Sequence, residues 1–90
     1  MANIHAVVHG AVQGVGFRSF VHQEAQKNHL HGWVRNREDG AVEIAAEGDS
    51  ATLENFIETV KKGNTFSRVE QVNIEDDVTV HHNQQFSIRY

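Results

Sequence analysis

From Ile4 to Ala11 small apolar residues alternate with histidines and β-branched types are frequent, a period of two that predicts a first strand. The period then changes. Phe17, Phe20, Val21 and Ala25 recur at steps of three and four, the stripe of an amphipathic helix that should end near Asn28 or His29. Gly32 to Arg37 predicts a second strand. Ala41 to Glu47 predicts a third, with Val42, Ile44 and Ala46 alternating against Glu43 and Glu47. Asp39-Gly40 between them signals a hairpin whose mirror-image turn has positive φ at both central residues. Asp49 or Ser50 should cap a second helix. Its Leu53, Phe56, Ile57 and Val60 form a full apolar stripe, Lys61 and Lys62 suit the negative end of its dipole, and Gly63 ends it. Val72 and Ile74 mark a fourth strand, and Phe86, Ile88 and Tyr90 alternate with Ser87 and Arg89 as a short last one.

This order of elements predicts an α+β fold: a ferredoxin-like split βαβ sandwich, an antiparallel sheet with two helices on one face. Phe20, Val21, Leu53, Phe56, Ile57 and Val60 are its expected core, with Phe17 and Trp33 as packing residues. That fold hosts many unrelated activities, so function has to come from a site.

The chain has 90 residues, 39% of them hydrophobic, and reads as one domain over residues 1–90. A chain this short buries only roughly 60–65% of its unfolded surface, so nearly every apolar residue is needed in one core. It has no cysteine, which excludes disulfides, thiolate metal sites and a cysteine nucleophile. Met1 to Ala11 reads as strand rather than signal peptide, and no stretch approaches the roughly 20 apolar residues of a membrane helix. The expected location is the cytoplasm, away from membranes. The formal net charge of −4 argues against a nucleic-acid binder, which needs a basic face. A single small anion could still be held by local backbone and one arginine.

The stretch Gly10-Ala-Val-Gln-Gly14-Val-Gly16-Phe-Arg18 lies between a strand and the first turn of a helix. Glycines let successive N–H groups curl inward into an anion-binding concavity, and a helix N-terminus adds unpaired N–H groups. Arg18 stands in that first turn, where its charge opposes the helix dipole, and its planar fork can take two phosphate oxygens. Generic motifs do not fit. A P-loop requires Lys-Ser/Thr after the last glycine, and a dinucleotide fingerprint requires glycine where Ser19 stands. Spacing alone leaves two readings open: an anion site, or a glycine turn with Arg18 in a surface ion pair.

Gly10-x-Val12-Gln13-Gly14-Val15-Gly16-Phe17-Arg18 resembles the first signature of the acylphosphatases. Gly32-Trp33-Val34-Arg35-Asn36, followed by Asp39-Gly40-x-Val42-Glu43, resembles the second, and Phe86-x-Ile88-Arg89-Tyr90 is similar to the family's usual ending. The resemblance runs from the first strand to the last residue. It implies hydrolysis of a small-molecule acyl phosphate, with Arg18 binding the phosphate and Asn36 orienting water. It also implies that the loop of Gln13, Gly14, Val15, Gly16, Phe17 and Arg18 supplies backbone N–H groups. It implies no cofactor. The chain departs from the family at Asn28-His29-Leu30, where Leu-Gly-Leu is common, and at Gly63-Asn64, where Gly-Pro is frequent.

The residues suit that reaction. The leaving carboxylate is a weak base, pKa ~4 like an Asp or Glu side chain, and departs without a proton from the enzyme. Phosphoryl transfer then needs mainly positioning and charge stabilisation. Asn36 is no base, but its amide can both accept from and donate to a water; its plainer role would be to satisfy local backbone. Seven histidines are present without a cysteine partner or a His-Glu-x-x-His spacing, so no metal site is expected. Arg35 and Arg37 should be solvated or paired with acids. Two rivals stay open: an RNA-binding sheet, which would need stacking aromatics and basic charge, and a phosphate binder without turnover. The chain is expected to be a monomer.

Overall fold

The computed structural model describes residues 2–90; Met1, which opens the segment read as strand, lies outside the described residues. The elements are β1 (Ala2–Ala11), α1 (Phe17–Lys27), β2 (His31–Asn36), β3 (Val42–Gly48), α2 (Ser50–Lys62), β4 (Arg68–Asp76) and β5 (Phe86–Arg89). They form one sheet in the order β4-β1-β3-β2-β5. β1 runs antiparallel to β3 and β4, and β2 antiparallel to β3. β5 pairs parallel with β2, so the sheet is mixed rather than wholly antiparallel. The cause is the connection: β4 finishes at the sheet end where β2 begins, and a crossing through residues 77–85 enters β5 running with β2.

Both helices cover one face, α1 over β2 and β5, α2 over β1, β3 and β4. Residues at alternate strand positions (Ile4, Ala6, Val8, Val34, Ile44, Ala46) meet Phe17, Val21, Ala25, Leu53, Phe56 and Val60 in one core. Each fully buried large apolar side chain stabilises the fold by about 1.5–3 kcal/mol. Phe20 and Ile57 sit at the core's margin, partly buried. Trp33 is outside that core. It lies on the opposite, helix-free face, half-buried, with Arg89 4.7 Å and Arg35 5.7 Å from its ring centre.

The ends of the helices follow local chemistry. Asp49 caps α2, its Oδ2 accepting from Thr52 N–H at 3.3 Å, and Gly63 closes it at φ 73°. After α1, Leu30 N–H donates to Ala25 O at 2.9 Å and His29 N–H to Gln26 O at 3.1 Å, the two bonds of a Schellman motif. The left-handed residue is His29 itself, at φ 57°, where a glycine would sit without strain.

The β2–β3 hairpin departs from its expected turn. Arg37 N–H donates to Ala41 O at 2.8 Å, closing a three-residue loop of Glu38, Asp39 and Gly40. Only Gly40 has positive φ, 92°, so this is a turn followed by a left-handed glycine rather than a mirror-image turn.

Candidate active site

At the end of β1 the pairing with β4 slips between His9 and Gly10. A Cβ at Gly10 would collide with the Arg68 carbonyl, so only glycine lets the two backbones approach here. The chain then turns through Gly14 and Gly16, both at φ 74°. Nothing lies within 4 Å of a Cβ built at Gly14, so its glycine is required by conformation and not by crowding. Val12 and Phe17, each 1% exposed, anchor the two ends of the loop in the core.

Gly16 precedes α1 without a side-chain cap, and its carbonyl accepts from Phe20 N–H at 3.0 Å. Among the described residues, no N–H of residues 13–16 donates to another protein group. The first-turn amides of α1 are unpaired by the nature of a helix start. The loop and helix therefore present donors without protein acceptors.

The side chains gather on one hollow of about 110 Å³, lined by Val12, Gly14, Gly16, Phe17, Arg18, Ser19 and Asn36. That is room for a few waters at roughly 30 Å³ each, or one tetrahedral oxyanion. Asn36 reaches it as the last residue of β2, paired in register with Val42. Its Oδ1 is buried and accepts no bond from the described residues. Arg18 has no carboxylate partner among the described residues. Its Nη1 donates to the Arg89 carbonyl at 3.1 Å, and its guanidinium carbon lies 4.7 Å from the Tyr90 ring centre.

Of the residues singled out in the sequence, Gly14, Gly16, Phe17, Arg18 and Asn36 thus meet at the hollow. Gln13 and Val15 do not line it. The Gln13 side chain points to the hairpin, its Nε2 donating to Arg37 O at 2.7 Å and to Ala41 O at 2.9 Å. Ser19, Arg89, Tyr90 and Asn64 were not singled out for the site, and three of them come from remote segments that no local pattern connects to the loop. A larger hollow of about 490 Å³ lies beside β5, lined by Val80, His82 and Arg89 among others. None of its lining residues belongs to a helix, so it has no helix N-terminus to offer an anion, and volume alone does not select the site.

Arg35 and Arg37 are engaged elsewhere. Arg35 Nε lies 2.6 Å from Glu43 Oε1, and Arg37 Nη2 lies 3.3 Å from Asp39. Glu43 is 8% exposed and also meets His5 Nε2 at 2.5 Å. Burial works to raise its carboxyl pKa, but the hydrogen bonds from His5 and Arg35, with their charges, outweigh burial and hold it below its ordinary value. The hydrogen bond from His82, less a smaller opposing effect of burial, lowers Glu47 likewise.

A ferredoxin-like α+β sandwich with a glycine loop, an arginine and an asparagine converging on one small polar hollow defines a protein suited to a small oxyanion. Known proteins narrow that class. The Acylphosphatase family profile matches residues 4–88. An acylphosphatase of Bacillus licheniformis is 48% identical over 90 residues, covering all of both chains. The crystal structure of acylphosphatase from Bacillus subtilis superposes with a TM-score of 0.94 at 47% identity, again over all of both chains. An acylphosphatase structure from Coxiella burnetii gives 0.90 at 35% identity, covering 98% of this chain and 92% of the other. The chain belongs to the acylphosphatase family.

Proposed function

We propose that this acylphosphatase holds its substrate's phosphoryl group with Arg18 and the amides of the 13–18 loop, while Asn36 places the attacking water. The convergence of Arg18, the glycine loop and Asn36 on one 110 Å³ hollow carries this reading. Water oxygen attacks phosphorus, the bond from phosphorus to the acyl oxygen breaks, and the carboxylate leaves with the electron pair. The water's proton passes to the phosphate product, so no protein acid or base is needed. Arg18 and the loop amides stabilise charge on the phosphoryl oxygens, and the free Oδ1 of Asn36 supplies an acceptor that orients the water.

Glu43 and Glu47 stand on the open sheet face, where the Trp33 ring is already stacked by Arg35 and Arg89. This supports a small-molecule partner over RNA. No helix of the described residues is long and apolar enough to cross a membrane. We read the chain further as a single-domain cytoplasmic monomer. Among the described residues only Phe66 and Tyr90 are exposed large hydrophobics, which supports the monomer, and sedimentation would check it.

The test is hydrolysis of benzoyl phosphate with EDTA present, for the wild type and for Asn36→Ala. Rapid turnover that falls about 100-fold in the folded variant is expected, the scale of loss when a reactant is misplaced. A folded wild type no faster than buffer would end the catalytic reading and leave phosphate binding by the loop.

A further inference from the structure

Asn64 follows the glycine that closes α2, at the position where this chain departs from the common Gly-Pro. Its Nδ2 donates to the Val15 carbonyl at 3.0 Å, across 49 residues of sequence. The same residue is fixed from behind: its N–H donates to Ser67 Oγ at 2.9 Å, and its carbonyl accepts from Ser67 Oγ at 3.2 Å and Ser67 N–H at 3.3 Å. The Asn64 amide is therefore a donor held in place by a tight 64–67 turn.

The consequence follows from peptide geometry. In a trans peptide the carbonyl of one residue and the N–H of the next point in opposite directions. Holding the Val15 carbonyl toward Asn64 aims the Gly16 N–H away from it. Gly16 lines the small hollow and Val15 does not. The lock matters because Gly16, at φ 74°, has no side chain to resist a flip of this peptide. A flipped peptide would present an oxygen where the anion needs a donor.

We propose that Asn64 is a positioning residue that locks the Val15–Gly16 peptide so that the Gly16 N–H stays aimed at the bound phosphate. The proposal rests on the phosphate reading of the hollow. It makes the α2–β4 connection, and not the signature loop alone, a determinant of phosphate affinity.

The experiment compares wild type, Asn64→Ala, Asn64→Asp and Ser67→Ala. Asn64→Asp keeps the shape and main-chain bonds of the residue while removing the donor. Ser67→Ala loosens the same turn without touching Val15. Competitive inhibition by inorganic phosphate and the Gly16 amide resonance during phosphate titration are the two readouts. Both Asn64 variants should raise the phosphate inhibition constant about tenfold, the scale of one lost bond to a charged group. They should also lose the phosphate-induced shift of the Gly16 amide. Ser67→Ala should lower the melting temperature and leave both readouts near wild type. An inhibition constant within about twofold of wild type in the folded Asn64 variants would overturn the proposal. So would an equal effect of Ser67→Ala. A wild type whose Gly16 amide ignores phosphate would instead overturn the phosphate reading, and this inference with it.

Discussion

Two arginines on neighbouring parts of the molecule meet opposite fates. Arg35, on the open sheet face, lies 2.6 Å from Glu43, which also binds His5. That face is closed on itself: cation meets carboxylate, aromatic ring meets guanidinium, and His82 meets Glu47 at 2.9 Å. Arg18 stands among unpaired loop amides and a buried, unpartnered Asn36 Oδ1, with the Arg89 carbonyl and the Tyr90 ring beside it. Buried polar groups are normally satisfied, so a local excess of free donors and an unpartnered acceptor around one cation is what supports the proposed site there. The open face has as much charge but little left to offer.

The sharpest way to break this contrast is to delete each arginine. Arg18→Ala should cost activity on benzoyl phosphate by about 10²–10³-fold, as removal of a charge-stabilising donor does. Stability should barely change, because the lost bond to Arg89 O is exposed. Arg35→Ala should do the reverse: activity close to wild type and a lower melting temperature, since Glu43 keeps its burial and loses a hydrogen-bonded cation. Turnover and thermal unfolding of the two purified variants measure both halves. A fall of 100-fold in Arg35→Ala would erase the distinction between the two regions.

The same contrast explains what could be read from the chain. Helix α2 was legible throughout, because its cap at Asp49, its stripe and its stop at Gly63 are all local. The glycine loop was legible because left-handed turns require glycine, and glycines leave a trace in sequence. Gly32, in the second signature, likewise reports a constraint: at φ 146° a Cβ would collide with the Ala45 carbonyl of the neighbouring strand. Strand β4 showed only Val72 and Ile74, yet it runs from Arg68 to Asp76; as an edge strand it buries little, and polar residues fill most of it. The hairpin loop was misjudged because Asp-Gly suits more than one loop length, and the strand register chose between them. Asn64, Arg89 and Tyr90 left no trace near the loop. Each arrives by tertiary packing from far along the chain.

Gln13 sharpens the comparison at smaller scale, since it ties the loop to the hairpin that follows Asn36. Its two bonds to Arg37 O and Ala41 O span the gap between the loop and β2. Gln13→Ala should lower stability by about 1–2 kcal/mol, the net worth of one or two such bonds. It should also reduce kcat/KM by about tenfold, because the loop and Asn36 are no longer held in register. Urea unfolding beside benzoyl phosphate kinetics separates the two effects. Lost stability with unchanged kinetics would make Gln13 a strut with no part in aligning the site.

The smallest expected effect comes from acid. Glu43 has a carboxyl pKa below its ordinary value of 4.5 in the folded chain. A carboxylate whose folded pKa is depressed gives stability that is fully present above its unfolded value. That stability disappears as pH falls through the folded one. Above the unfolded pKa the wild type should therefore be more stable than Glu43→Gln. The difference should shrink from about pH 4.5 downward as Glu43 takes up its proton and its bonds to His5 and Arg35 weaken. Denaturant midpoints between pH 7 and pH 3 would follow it. The slope should be shallow, because half-exposed Arg35 leaves much of the pair's attraction screened by water. The hollow around Arg18 depends on no carboxylate, so the same titration should leave phosphate affinity untouched by Glu43→Gln. A variant whose phosphate affinity fell in step with its stability would join the two regions that the structure keeps apart.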